Sequence, residues 1–114
     1  YQTLPNVYIK AQEYFDDYLR FSRRINKPLI VSEISYPRDR NHFEPKSPVD
    51  ARNSCFNFVT NKLKQSEDDG NGLSAAFFGI FIDETEKHVP AAIYASDTQT
   101  LSEIALQKEK EKSK

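Results

Sequence analysis

Glu33 lies in the run Lys27-Pro28-Leu29-Ile30-Val31-Ser32-Glu33-Ile34-Ser35-Tyr36-Pro37-Arg38-Asp39. Of all the side chains in the sequence, it is the one best placed to do chemistry. Leu29, Ile30, Val31 and Ile34 read as a buried strand, and an ionised Glu is rarely left fully buried without a partner. Two readings stand level for such a carboxylate. One is a structural salt bridge, with Arg38 near in sequence. The other is a catalytic carboxylate at the end of a short apolar strand, with a Pro-containing loop beyond it. Rival chemistries find less support. His42 and His88 fall in polar loops without Cys or carboxylates at ligand spacing, so they read as solvent-exposed and no metal site is expected. Ser32 and Ser35 flank Glu33 but have no evident His base. Three glycines cannot build a Gly-rich phosphate loop, and no cofactor is implied.

The elements that must position Glu33 follow from periodicity. Residues from Thr3 to Arg24 read as an amphipathic helix, with Thr3 as N-cap, Pro5 in the first turn and a stripe of Val7, Ala11, Tyr14, Phe15, Tyr18 and Leu19. Asn26-Lys27 is a short turn, and residues 28–34 form a nearly continuously apolar strand suited to a parallel sheet. Ser47-Pro48-Val49-Asp50 starts the next helix with Ser as cap, and Ala51, Cys55, Phe58, Val59 and Leu63 carry its stripe to about Gln65. A turn-rich linker leads to a second strand, Leu73 to Ile82. After Ala91-Ala92-Ile93-Tyr94, Ser96-Asp97-Thr98 caps a last helix that ends in a solvated Lys/Glu tail from Lys108.

At 114 residues, with a net charge of −1, the chain has room for one domain or a piece of a larger one. That charge gives no reason to expect nucleic acid or an anionic membrane as partner. No run reaches the roughly 18 apolar residues of a membrane span. The lone Cys55 makes no internal disulfide and reads as a buried inert thiol. A signal peptide is not visible, and the start at Tyr1 leaves that absence uninformative.

Helix, strand, helix, strand, helix at this spacing gives βα units and a parallel sheet. Two parallel strands are not stable alone, so the expected class is α/β, as a piece of a larger fold or one completed by a partner chain. In a (β/α)8 barrel, catalytic groups project from the C-terminal ends of the strands. Glu33 holds that position on its strand, with Tyr36, Arg38 and Asp39 just after it and Phe77-Phe78 on the equivalent stretch of the next. A carboxylate facing aromatic walls suits a retaining glycosidase, in which one carboxylate attacks the anomeric carbon.

Three segments, in order, resemble the C-terminal part of glycoside hydrolase family 5, most closely its endo-β-1,4-mannanases. Lys27 to Asp39 looks like the family's seventh strand, usually Lys-Pro-Leu-Val, then Glu-Phe-Gly-Tyr-Pro-Arg-Asp. Gly72-Leu73-Ser74-Ala75-Ala76-Phe77-Phe78-Gly79 resembles the eighth, usually ending Asn-Phe-Trp-Gly-Trp. Ala92 to Leu101 looks like the closing Ser-Val-Tyr-Asp-x-Asp-x-Ser-Thr stretch. In this chain Ser35 stands where Gly is usual, Ile34 where an aromatic is usual, and Phe78 and Ile80 where Trp is common.

The resemblance implies the last two strands, with their helices, of a (β/α)8 TIM barrel, spanning residues 1–107 and followed by a charged tail, 108–114. Glu33 matches the nucleophile of a two-step retaining mechanism. Phe78 falls where an aromatic stacks on the sugar, and Tyr36 is expected to hydrogen-bond near the nucleophile. Arg38 and Asp39 are expected to pin the loop by an ion pair. The implied partner is a polysaccharide, mannan or a related β-glucan, and the implied location is extracellular or periplasmic. The family's acid/base, a Glu after Asn on the fourth strand, has no counterpart, although a retaining site needs a second carboxyl about 5 Å from the first. The isolated chain is therefore expected to be inactive and, as an incomplete barrel, to self-associate. The alternative is a non-catalytic, degenerate glycosidase-like module that binds polysaccharide or a protein.

Overall fold

The computed structural model describes residues 4–68, 73–86 and 89–111. Helix α1 (Leu4–Ile25) leads into strand β1 (Leu29–Ile34), helix α2 (Asp50–Asp68), strand β2 (Leu73–Phe78) and helix α3 (Thr98–Glu111), with one 3₁₀ turn at Asp39–Asn41. The order matches the reading of the sequence; β2 ends at Phe78 rather than Ile82. Thr3, Gly72 and His88 lie outside the described residues.

The helix ends show how the chain turns. Asn26 takes a left-handed φ of 54°. The amides of Asn26 and Lys27 then reach back to the carbonyls of Arg23 (3.2 Å) and Ser22 (3.1 Å), a Schellman closure ahead of Pro28. At α2 the expected Ser47 cap is not used. Helix α2 begins at Asp50, and its first amides, of Asp50 and Ala51, donate to the Asp39 carboxylate at 3.1 and 3.0 Å. The cap is thus borrowed from the loop after β1, while the Ser47 hydroxyl donates to the Glu44 carbonyl at 2.6 Å.

β1 and β2 pair in parallel, with Leu29 opposite Leu73 and Ile34 opposite Phe78. The helices cover one face of this pair. Leu19, Leu63 and Leu73 form one core cluster, joined by Phe15, Leu29, Val31 and Ala76. Ile34, Phe56, Val59 and Ile93 form the other, joined by Phe78, Leu101 and Ile104. The second face is bare: Ile30 is 53% exposed and Phe77 59%. This corrects the expectation of a strand buried on both sides, because two strands with helices on one side leave the opposite face to solvent.

α1 also departs from its expected single stripe. Phe15 and Leu19 pack on the core, whereas Val7, Tyr14 and Tyr18 are exposed at 43, 63 and 45%. From Val49, just before α2, the buried line runs on through Arg52, Phe56, Val59, Leu63 and Ser66, at the three- and four-residue steps of one helix face. Among the described residues no helix is long and apolar enough to cross a membrane.

Candidate active site

Along β1 the side chains first alternate, with Leu29 and Val31 partly buried and Ile30 and Ser32 exposed. Continued alternation would turn position 33 toward the helices. Instead the register slips between Val31 and Ile34, so Ser32 and Glu33 are both exposed and Ile34 is buried. An irregularity of this kind re-aims a side chain at the end of a strand. Glu33 is therefore a solvent-facing carboxylate at the C-terminal end of a parallel strand. It has no hydrogen bond or ion pair among the described residues, and the salt bridge to Arg38 is not formed.

Arg38 turns the other way, into the protein. Its side chain is fully buried, and Nη2 donates to Asp97 Oδ2. Nη1 donates to the Ser47 carbonyl at 2.9 Å, and the guanidinium sits 4.8 Å from the centre of the Tyr94 ring. Arg52, also fully buried, meets the same carboxylate at 3.0 Å, the Thr100 hydroxyl at 3.0 Å and the Ala92 carbonyl at 2.6 Å. Asp97 Oδ2 also accepts from the Tyr94 amide at 2.9 Å. One carboxylate at the head of α3 thus anchors α2 and the loop that follows Glu33. Burial disfavours its charge, but the donors from Arg38, Tyr94 and Arg52 outweigh that and hold the carboxyl below its ordinary value. For Arg52, burial prevails over Asp97 and draws the guanidinium down from its ordinary value.

The loop is pinned as expected, by different partners. Arg38 pairs with Asp97 rather than Asp39, and Asp39 caps α2. The Tyr94 hydroxyl, donating to the Phe43 carbonyl at 2.8 Å, holds the loop's far end. Arg52 and Asp97 were missed from the sequence because charged residues were not counted as core. The usable signal was an Arg in step with Val49, Phe56 and Val59.

Among the described residues, neither of the expected substrate-side residues, Phe78 and Tyr36, makes a hydrogen bond to Glu33. Phe78 is half-buried with its ring 4.8 Å from that of Phe56, packed on the core. Its neighbour Phe77 is the open ring. Tyr36 is half-buried against the same core. It lies close enough to Tyr8 that, after burial and Cys55, it helps push that phenol up. The Cys55 thiol is pushed up by burial, as befits an unreactive Cys. His42 is exposed, 3.6 Å from Glu44. Among the described residues no three His, Cys, Asp or Glu side chains group as metal ligands.

Residues 1–99 match the model of the GH family 5 beta-mannosidase-like proteins. The chain belongs to glycoside hydrolase family 5. No curated protein matches it by sequence. Among solved structures, the Glycoside Hydrolase Family 5 Mannosidase from Rhizomucor miehei is similar, with a TM-score of 0.74 and 17% identity over 95% of this chain and 34% of that one. A point mutant of that mannosidase gives a TM-score of 0.75 and 16% identity over 99% of this chain. The chain spans about a third of the length of these family 5 structures, and two parallel strands with their helices are consistent with part of a TIM barrel.

Proposed function

We propose that this family 5 chain is the C-terminal part of a (β/α)8 retaining glycosidase that cleaves internal β-1,4-mannosidic or related β-glycosidic bonds. Glu33 is its nucleophile. The observation that carries the reading is the position of Glu33: the exposed end of a parallel strand, at a slip in its register. Catalytic groups of barrels project from strand ends of this kind. Without a partner among the described residues and open to solvent, the carboxylate is free to attack an anomeric carbon and form a glycosyl-enzyme, which water then hydrolyses.

Stacking on the sugar falls to the aromatic pair of β2. Phe78 occupies the aligned position, but its ring is spent on Phe56, so Phe77 supplies the open face. Tyr36, packed on the core, backs the loop rather than reaching the nucleophile. The acid/base comes from outside these residues, and the 114-residue chain alone turns over no substrate. The substrate is a mannan-type polysaccharide, and the site of action is outside the cell or in the periplasm.

The test is to join the chain to the preceding six β/α units of a family 5 mannosidase and measure mannan hydrolysis. Turnover that Glu33→Gln lowers by about 10³-fold or more supports the assignment. Turnover indifferent to Glu33→Gln, or turnover by the isolated chain, overturns it.

A further inference from the structure

We propose that the cavity bordered by α1, α2 and α3 is a binding site for a short neutral oligosaccharide, apart from the catalytic carboxylate. It measures about 500 Å³, and Glu33 is not among its lining residues. Tyr8 of α1, Asn53, Phe58 and Asn61 of α2 and Glu103 of α3 line it, so its walls are helices of this chain. Pockets for small ligands commonly enclose about 300–1,000 Å³.

The polar side chains of the cavity are already oriented. The buried Arg52 guanidinium can only donate, and it donates to the Thr100 hydroxyl at 3.0 Å. The hydroxyl proton therefore goes to Asn53 Oδ1, 2.6 Å away, which leaves Asn53 Nδ2 a donor without a partner among the described residues. Glu103 orients a second amide in the same way. Its carboxylate accepts from Asn57 Nδ2 at 3.0 Å, so Asn57 Oδ1 accepts from Asn61 Nδ2 at 3.0 Å. Asn61 Oδ1 is then an acceptor without a partner among the described residues. Asn53, Asn57 and Asn61 are spaced four residues apart and share one face of α2. The rings of Tyr8 and Phe58, with centroids 5.3 Å apart, supply an apolar wall.

This combination selects one class of ligand. The carboxylates of Asp50 and Glu103, both on the lining, repel a phosphate or another anion. Among the described residues no three His, Cys, Asp or Glu side chains gather to hold a metal ion. A wholly apolar ligand would take water from the amides and return no hydrogen bond. Sugar hydroxyls donate and accept at once, and the C–H face of a pyranose lies well against an aromatic ring. A neutral sugar therefore satisfies both the amides and the rings. The choice of a β-1,4-linked manno-oligosaccharide rests on the function proposed above.

The test titrates β-1,4-mannotetraose into the full 114-residue chain and follows bound sugar by saturation-transfer NMR, which works whatever the size of the assembly. The expected result is saturable binding with a Kd on the order of 1 mM. Asn61→Ala combined with Ser54→Ala, both exposed positions on the lining, should weaken it by about fivefold or more with an unchanged circular dichroism spectrum. Absence of saturation at about 20 mM, or binding indifferent to those substitutions, overturns the proposal. So does binding lost in Glu33→Gln, which assigns the sugar to the catalytic cleft. Cellotetraose bound in place of mannotetraose upholds the sugar site and counts against mannan as the substrate. A completed barrel that hydrolyses mannan through Glu33 while this cavity binds no sugar overturns the proposal and leaves the catalytic reading standing.

Discussion

Asp97→Asn removes the carboxylate that, among the described residues, neutralises two buried guanidiniums. In the native chain the side chains of Arg38 and Arg52 are 0% exposed and that of Asp97 is 4%. Among the described residues, the Nε atoms of Arg38 and Arg52 are already buried without a partner. Removing one partner from a buried ion pair costs about 3–5 kcal/mol, because an uncompensated charge is left in a medium that solvates it poorly. The Arg20–Asp17 pair on α1, 67% exposed on both sides, sets the opposite limit, since such surface pairs contribute about 1 kcal/mol or less. At a factor of ten per 1.4 kcal/mol, hydrogen-exchange protection at the α2–α3 contact should fall by about 10² to 10⁴ in Asp97→Asn, up to complete loss. It should fall by no more than about fivefold in Asp17→Asn. Hydrogen exchange suits this test because it reads local stability segment by segment. If the two variants lose protection equally, the triad does not hold α2, α3 and the Glu33 loop together.

The same carboxylate fixes the sign of the acid response. A folded-state value held below the ordinary one gives stability that is present above about pH 4 and lost as pH falls through the depressed value; Asp97→Asn should flatten that loss in a circular dichroism titration. Asp39→Ala removes the cap from the Asp50 and Ala51 amides and should destabilise the first turn of α2 by about 1 kcal/mol, whereas Ser47→Ala should change its exchange little. Phe78→Ala should cost about 1–3 kcal/mol through the lost packing on Phe56. Phe77→Ala should leave stability within about 0.5 kcal/mol and raise KM for mannan in the completed barrel. The reverse pattern returns the sugar platform to Phe78.

Periodicity and turn chemistry were enough to read the helix–strand alternation, the turn after α1 and the parallel pair. Each of these rests on local preferences: the apolar run of β1, Asn26 at a left-handed position, and Pro28 beyond it. Long-range partners were not legible. Asp97 lies 59 residues from Arg38 and 45 from Arg52, and no local rule pairs them. The α2 cap was misassigned because Ser47 satisfied a local pattern, while the Asp39 carboxylate, 11 residues before Asp50, reached the amides first. The setting of Glu33 singles it out, but the expected burial is not what the structure shows: its carboxylate is exposed. Apolarity predicted burial, but the covering layer for that face of the sheet is not contributed by these residues.

A mannose derivative with fluorine at C2 and fluoride as leaving group gives the most direct test of Glu33. Its fluoride departs without help from an acid as the carboxylate bonds to C1, and the C2-fluorinated glycosyl-enzyme that remains hydrolyses slowly, so it marks the nucleophile of a retaining site. With the barrel completed, peptide mass spectrometry should find the sugar on the Glu33 side chain and lose that label in Glu33→Gln. A label on another carboxylate, or a label unchanged in Glu33→Gln, would contradict the account.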